Sequence, residues 1–281
     1  MLITQAYDII KLKGVPTMKT LILYFSATGN SKFIAEVFAK QMNATIHSIE
    51  DDVDFLHLIT THETIAFSYP IYGSRVPRNL REFVTKYIKP IYHKKLIIFC
   101  TQMAFSGDGA RAFTYIFHPR RQNKLKVIYA EHFIMPNNVG NVFITPLASD
   151  ENALKQFANA EKKMQKVCQE IKAGIIKKRG FNPISRILGL PQGLLMPLFE
   201  YLAKDNVRIR NNCTGCGICV KACPMKNFKL ENNKATAKGN CVMCYRCVNL
   251  CPEKCITTLL HFKVKNQYSN KYQKLLHTSS E

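Results

Sequence analysis

Acidic side chains are scarce in this chain: 19 Asp and Glu stand against 40 Lys and Arg over 281 residues, a formal net charge of +21. Long apolar runs are missing as well. No stretch of about eighteen residues escapes a charge or a proline, so no membrane-spanning helix is expected. Residues 1–17 lack the basic, apolar and small-residue succession of a secretory leader, and a reducing, cytoplasmic setting is the expectation. The Gly-Lys-Ser/Thr ending of a nucleoside-triphosphate loop is absent, and so is the G-x-G-x-x-G of dinucleotide folds. No helix-turn-helix, zinc-finger or RNA-binding signature accompanies the basic charge, so nucleic acid is not expected as a partner. The charge is spread out. Residues 1–204 carry 27 basic against 15 acidic side chains (+12), and residues 205–281 carry 13 against 4 (+9). It either steers acidic partners or simply solvates the surface. The eight histidines are scattered, none paired at ligand spacing. With 47% hydrophobic residues, the chain is globular and long enough for two domains.

Cysteine is where the sequence concentrates its chemistry. Eight of the eleven cysteines fall in two copies of C-x2-C-x2-C-x3-C-P: Cys213, Cys216, Cys219, Cys223-Pro224, then Cys241, Cys244, Cys247, Cys251-Pro252. Every position of the second copy lies 28 residues after its counterpart. Three thiolates spaced by two residues wrap one face of an iron–sulfur cube, and the cysteine before proline is carried away to the other cube. One cluster then takes Cys213, Cys216, Cys219 and Cys251, and the other takes Cys241, Cys244, Cys247 and Cys223. Zinc sites are the competing reading, but zinc prefers separated C-x2-C knuckles. Gly215 and Gly217 keep the first loop bare, whereas Tyr245 and Arg246 occupy the second, so the two clusters should differ in solvation and charge. Residues 205–262 resemble a bacterial two-cluster 4Fe–4S ferredoxin. Cys255 falls outside the ligand set, at the repeat position of Asn227, and Cys100 and Cys168 read as core residues.

The N-terminal part reads differently. After an extension, residues 1–17, a buried strand Leu21–Phe25 leads into the turn Ser26-Ala-Thr28-Gly29-Asn30-Ser31 and the amphipathic helix Lys32–Met42. A strand, a small-residue turn and a helix N-terminus make an anion cradle of outward amides and hydroxyls. The turn contains no Lys or Arg. It resembles the flavodoxin phosphate loop, which holds the 5′-phosphate of flavin mononucleotide (FMN) with neutral donors. Further strands are expected at 44–49, 64–68, 96–100 and 127–133, with helices at 78–88, 110–118 and 150–172. Strands alternating with helices predict an α/β, doubly wound parallel sheet. Flavodoxin-like order, 2-1-3-4-5, puts the ligand crevice between the ends of strands 1 and 3.

Two more loops are expected at that crevice. Pro70, Tyr72 and Gly73 follow strand 3, with Tyr72 as an aromatic plate for the flavin ring. Thr101, Phe105, Gly107 and Asp108 follow strand 4, in a stretch that looks like the second flavin-flanking loop of flavodoxins. For Tyr72 and Phe105, ordinary loop packing is the alternative.

As a whole the chain resembles the flavodoxin–ferredoxin fusion proteins of anaerobic bacteria. That resemblance implies a flavodoxin-like FMN-binding domain at 18–173, a connector at 174–204, a small α+β two-cluster ferredoxin domain at 205–262 and a polar tail at 263–281. It implies an electron carrier exchanging electrons between two 4Fe–4S clusters and FMN, and between redox partner proteins. The alternatives are a flavin-dependent reductase of a small substrate fed by its own clusters, and a ferredoxin with an empty flavodoxin-like docking module. The connector is basic at Lys177-Lys178-Arg179, then apolar, with Pro183, Pro191 and Pro197 as breaks. Its apolar side either packs between the domains or, through residues 177–203, lies against a membrane surface or partner.

Overall fold

The computed structural model describes residues 18–105, 107–141 and 147–268. The expectations for residues 1–17 and for most of the tail lie outside these, as does Ser106. The N-terminal unit is a parallel sheet built from β1 (Thr20–Tyr24), β2 (Thr45–Ser48), β3 (Thr64–Pro70), β4 (Lys95–Gln102), β5 (Lys126–Ile134) and the two-residue β6 (Lys177–Lys178). The strand order is β2-β1-β3-β4-β5-β6. The expected order 2-1-3-4-5 is present, and β6 adds a sixth strand that two consecutive lysines gave no reason to expect.

Successive residues of a strand point to opposite faces, so a strand covered on both sides must be apolar throughout. β1 and β4 behave this way. Leu21, Leu23, Leu96, Ile98 and Cys100 enter one apolar layer, while Ile22, Ile97 and Phe99 enter the other. The first layer is closed by α2 (Phe55–Thr61), α3 (Arg78–Lys86) and α4 (Ile88–Tyr92), and the second by α1 (Asn30–Met42) and α6 (Asp150–Lys172). α6 starts where the Ser149 hydroxyl accepts the Asn152 amide, and Asp150 and Glu151 favour its positive N-terminal end. Its buried stripe, Ala153, Phe157, Ala160, Met164, Val167 and Ile171, follows helical spacing and includes Cys168 beside it.

Two sequence expectations need correction. The helix expected at 110–118 is a 3-10 turn, Arg111–Ile116, followed by the short α5 (Pro119–Gln122). Pro119 forces His118 into extended backbone (φ −54°, ψ 138°), which separates the two. The connector, read as broken by prolines, instead forms α7 (Pro183–Ala203), 21 residues with Pro191 and Pro197 inside it. Pro183 occupies the first turn, where no N–H is needed, and the Asn182 side chain caps the Ser185 amide. Nor does α7 pack an apolar side between the units. Gly189 and Ala203 are buried, whereas Ile184, Ile187, Leu190 and Leu194 are more than half exposed.

The cysteine-rich unit pairs β7 (Val207–Ile209) with β10 (Ile256–Thr258), and β8 (Phe228–Glu231) with β9 (Lys234–Ala237), both antiparallel. Two five-residue helices, α8 (Ile218–Ala222) and α9 (Arg246–Leu250), follow the two triple-cysteine loops. The sequence repeat is also a backbone repeat. Gly215 and Met243, Gly217 and Tyr245, and Lys226 and Lys254 all take positive φ at matching positions. Cys223 and Cys251 both end their helix in extended backbone, as a residue before proline must.

Candidate cofactor sites

The eight repeat cysteines divide between two small hollows. The first is lined by Cys213, Cys216, Cys219 and Cys251, together with Cys255. The second is lined by Cys223, Cys241, Cys244 and Cys247. In each, three thiols come from one repeat and the fourth from the other. Backbone amides already serve some of the sulfurs. Met243 N–H donates to Cys241 Sγ at 3.3 Å, and Asn227 N–H to Cys223 Sγ at 3.3 Å. Such bonds suit a sulfur carrying negative charge. Among the described residues, no three of His, Cys, Asp and Glu gather as a single-ion site requires. Burial pushes the Cys244 thiol up to about 12 and raises Cys241 and Cys247 as well. Compensating positive charge, which bound iron would supply, favours their ionised form. Cys255 is buried with its Sγ 3.4 Å from Cys251 Sγ, a fifth sulfur beside the first hollow.

At the carboxyl ends of β1, β3 and β4 lies a cleft of about 530 Å³. Its polar end is the turn after β1. Gly29 holds positive φ (102°) as the residue before α1, and its amide donates to Ser26 Oγ at 3.1 Å. The first-turn amides of α1 have no acceptor within the helix and point outward. Ser31 Oγ lies 2.8 Å from Thr101 Oγ1, and Thr28 Oγ1 accepts Asn138 Nδ2 at 3.0 Å. Asn30 Nδ2 donates to Pro136 O, and Asn30 Oδ1 accepts the Tyr268 hydroxyl. Several hydroxyls and amides are thus held around one point without a cation, a cradle for a phosphate.

The rest of the cleft is apolar, lined by Pro70, Ile71, Tyr72, Met103, Met135 and Val139 from the sheet end, and by Met196 and Phe199 from α7. The Tyr72 hydroxyl is buried with no hydrogen-bond partner, and burial raises its pKa well above that of free tyrosine. The charged groups nearest that hydroxyl are Cys244, Arg246 and Cys241, so it faces the cysteine-rich unit while the rest of the residue lines the cleft. The residues present fit a flavin nucleotide.

The structure places the predicted flavin residues as follows. Ser26, Thr28, Asn30, Ser31, Pro70, Tyr72 and Thr101 line the cleft, and Gly29 shapes its loop. Gly73, Phe105, Gly107 and Asp108 are not among the lining residues. Gly73 faces Met196 so closely that a Cβ there would collide. Gly107 and Asp108 lie against Gly189 of α7. The Asp108 carboxylate accepts the Tyr115 hydroxyl at 2.8 Å, and burial raises its pKa. Phe105 is 56% exposed.

Sequence reasoning missed the contribution of the cysteine-rich unit to this cleft. Met243, Tyr245, Leu259 and Leu260 form one of its walls. Tyr245 also borders the second thiol hollow, so one ring separates the two sites. Cys244 and Val242 pack with Phe25, Ala27 and Tyr72 in one small apolar cluster. Arg246 fixes this contact. Its guanidinium forks onto the Glu50 carboxylate at 2.8 and 2.6 Å and donates to the carbonyls of Ser26 (2.8 Å), Ala27 (3.1 Å) and Ala222 (2.9 Å). Asn249 adds a second link, donating to Asn138 O at 2.9 Å. The only signal was negative: Tyr245 and Arg246 stand where the first repeat has glycine and isoleucine.

Comparison with known families settles the class. A flavodoxin domain model matches residues 21–134, and a 4Fe–4S dicluster domain model matches residues 205–271. The chain is a flavodoxin domain fused to a 4Fe–4S dicluster domain. No curated protein matches it. Among solved structures, a flavodoxin from the domain Archaea is 15% identical, covering 55% of this chain and 99% of its own, with a TM-score of 0.35. The two-electron reduced flavodoxin of Megasphaera elsdenii is 18% identical (51% and 98% covered, TM-score 0.34). Likenesses of this size add no weight to the family matches. The flavodoxin domain implies FMN and the dicluster domain implies 4Fe–4S iron, so the fusion has an electron-transfer role, which implies redox partners. Among the described residues no helix is long and apolar enough to cross a membrane.

Proposed function

We propose that this fusion exchanges electrons within one chain, between two 4Fe–4S clusters and FMN. The observation that carries the reading is the shared wall: Tyr245 borders both the flavin cleft and the hollow of Cys223, Cys241, Cys244 and Cys247. Bound flavin supplies one- or two-electron exchange and each cluster one electron, so the fusion matches pairs to singles. The protein's share is placement. Ser26, Thr28, Asn30, Ser31 and Thr101 would hold the phosphate end, with Pro70 and Tyr72 along the ring.

The two thiol sets have different duties. In the set of Cys223, Cys241, Cys244 and Cys247, the buried Cys244 packs with Phe25 of the flavodoxin domain, and Arg246 lies over the same ring. The set of Cys213, Cys216, Cys219 and Cys251 reaches the surface, where Cys216 is exposed. The outer set is the port for a protein partner, and the inner set faces the flavin. Lys221, Lys234 and Lys254 lie in the segments around the outer port, and residues 205–281 carry +9 overall, so an acidic redox protein is the partner of matching charge.

The test is anaerobic reconstitution followed by quantification of iron, sulfide and FMN. About eight irons and one FMN per chain are expected. Zinc in place of iron and sulfide would overturn the reading.

A further inference from the structure

α7 is built the wrong way round for a helix of a water-exposed surface. Apart from Met196, its inward side is small or polar: Ser185, Gly189, Gln192, Met196, Glu200 and Ala203 recur at helical spacing against the domains. Gly189 lies against Asp108, and Glu200 pairs with Arg81 at 2.7 Å. Its outward side is apolar. Ile184, Ile187, Leu190, Leu194, Leu198 and Leu202 are between 55% and 70% exposed. Single exposed leucines need no explanation, but a continuous stripe along about 27 Å of helix does.

Charge selects what covers the stripe. Residues 174–204 hold five basic side chains, Lys177, Lys178, Arg179, Arg186 and Lys204, and one acidic one, Glu200. Glu200 is spent on Arg81, so the outward side presents no carboxylate. Lys178, five residues before α7, and Arg186, in its first turn, are both exposed. The stripe also runs on into Phe199, half exposed, and Leu260, 57% exposed, at the mouth of the cleft. An apolar stripe with cationic flanks matches a bilayer whose headgroups are anionic: acyl chains take the leucines and phosphates take the Lys and Arg.

We infer that α7 lies flat on an anionic membrane surface, holding the mouth of the flavin cleft against the lipid. Insertion is peripheral. The helix keeps its polar side on the protein and crosses nothing.

The experiment uses the full chain with both cofactors loaded. Vesicles of phosphatidylglycerol and of phosphatidylcholine are sedimented with the protein at low and at physiological salt. Binding at least tenfold stronger to phosphatidylglycerol, weakening with salt, is expected. Leu194→Asp with Leu198→Asp, and separately Lys178→Glu with Arg186→Glu, should each reduce it tenfold or more while flavin and cluster absorbance stay unchanged. Because the chain has no tryptophan, Leu195→Trp gives a single reporter whose emission should shift to the blue on phosphatidylglycerol vesicles. No vesicle binding, equal binding to both lipids, or binding that survives both double variants would overturn the inference. So would a dimer in light scattering that the Leu194/Leu198 variant abolishes, since the stripe would then be covered by a second copy. None of these results bears on iron or FMN content, so the electron-transfer reading stands or falls separately.

Discussion

Replacing Arg246 by methionine should loosen the flavodoxin domain from the dicluster domain without unfolding either. The guanidinium makes five hydrogen bonds, and all but the one to Ala222 reach the flavodoxin domain. The Glu50 carboxylate is 30% exposed, so water compensates much of its loss and the pair is worth about 1 kcal/mol. The Ser26 and Ala27 carbonyls are less easily rehydrated, at about 1 kcal/mol each. Losing about 3 kcal/mol lowers the ratio of docked to undocked domains roughly hundredfold. Methionine keeps an unbranched apolar side chain at the position, while the guanidinium over the Phe25 ring is lost along with its hydrogen bonds. The assay is a double-mutant cycle of Glu50→Ala and Arg246→Met, read by hydrogen exchange of amides 26–31. A coupling near 1 kcal/mol, with Arg246→Met the costlier single change, is the expected outcome. If the two effects simply add, to within about 0.3 kcal/mol, the fork between the domains does not exist in solution and the reasoning fails.

Four further predictions follow from the same geometry. Cys223→Ser should cost the iron of the second repeat, and Cys251→Ser that of the first, each read as loss of one of two signals in electron paramagnetic resonance of the reduced protein. Cys255→Ala should leave iron content intact despite its sulfur beside Cys251; loss of iron would show the ligand set to be wrong. Tyr72→Phe removes a buried hydroxyl without a protein partner, so denaturant titration of the apoprotein should show stability raised by about 1 kcal/mol; a loss of stability would reject the assignment. His132, buried with its Nε2 accepting the Ala110 amide, has its pKa lowered to about 4, mainly by burial. Its stabilising effect is complete above the unfolded pKa of about 6.5 and is lost as pH falls toward 4, about 3 kcal/mol in all. His132→Asn should flatten denaturant midpoints between pH 6.5 and 4, and an unchanged slope would reject the assignment.

Much of this was readable from residues alone, and the unreadable parts share a cause. The buried strands announced themselves because a strand covered on both faces is an unbroken apolar run. The thiol sets were legible because iron–sulfur spacing constrains the chain more tightly than any packing rule. α7 was not. Its prolines mark breaks in ordinary sequence logic, and its apolar residues face outward, the reverse of what periodicity assumes. The Arg246–Glu50 fork joins residues 196 positions apart, a distance over which one sequence carries no signal. Asp108 looked like a flavin contact from its loop motif, yet it lies against Gly189 of α7, a helix that the sequence did not reveal.

The claim at the centre is that electrons pass between the thiol-bound clusters and the flavin inside a single chain. Flash reduction of the loaded protein, followed at flavin and cluster wavelengths over a hundredfold dilution, tests it most directly. A transfer rate independent of protein concentration, and slowed by Arg246→Met, is the predicted result. A rate that falls in proportion to dilution would show that the electrons travel between molecules, and would contradict it.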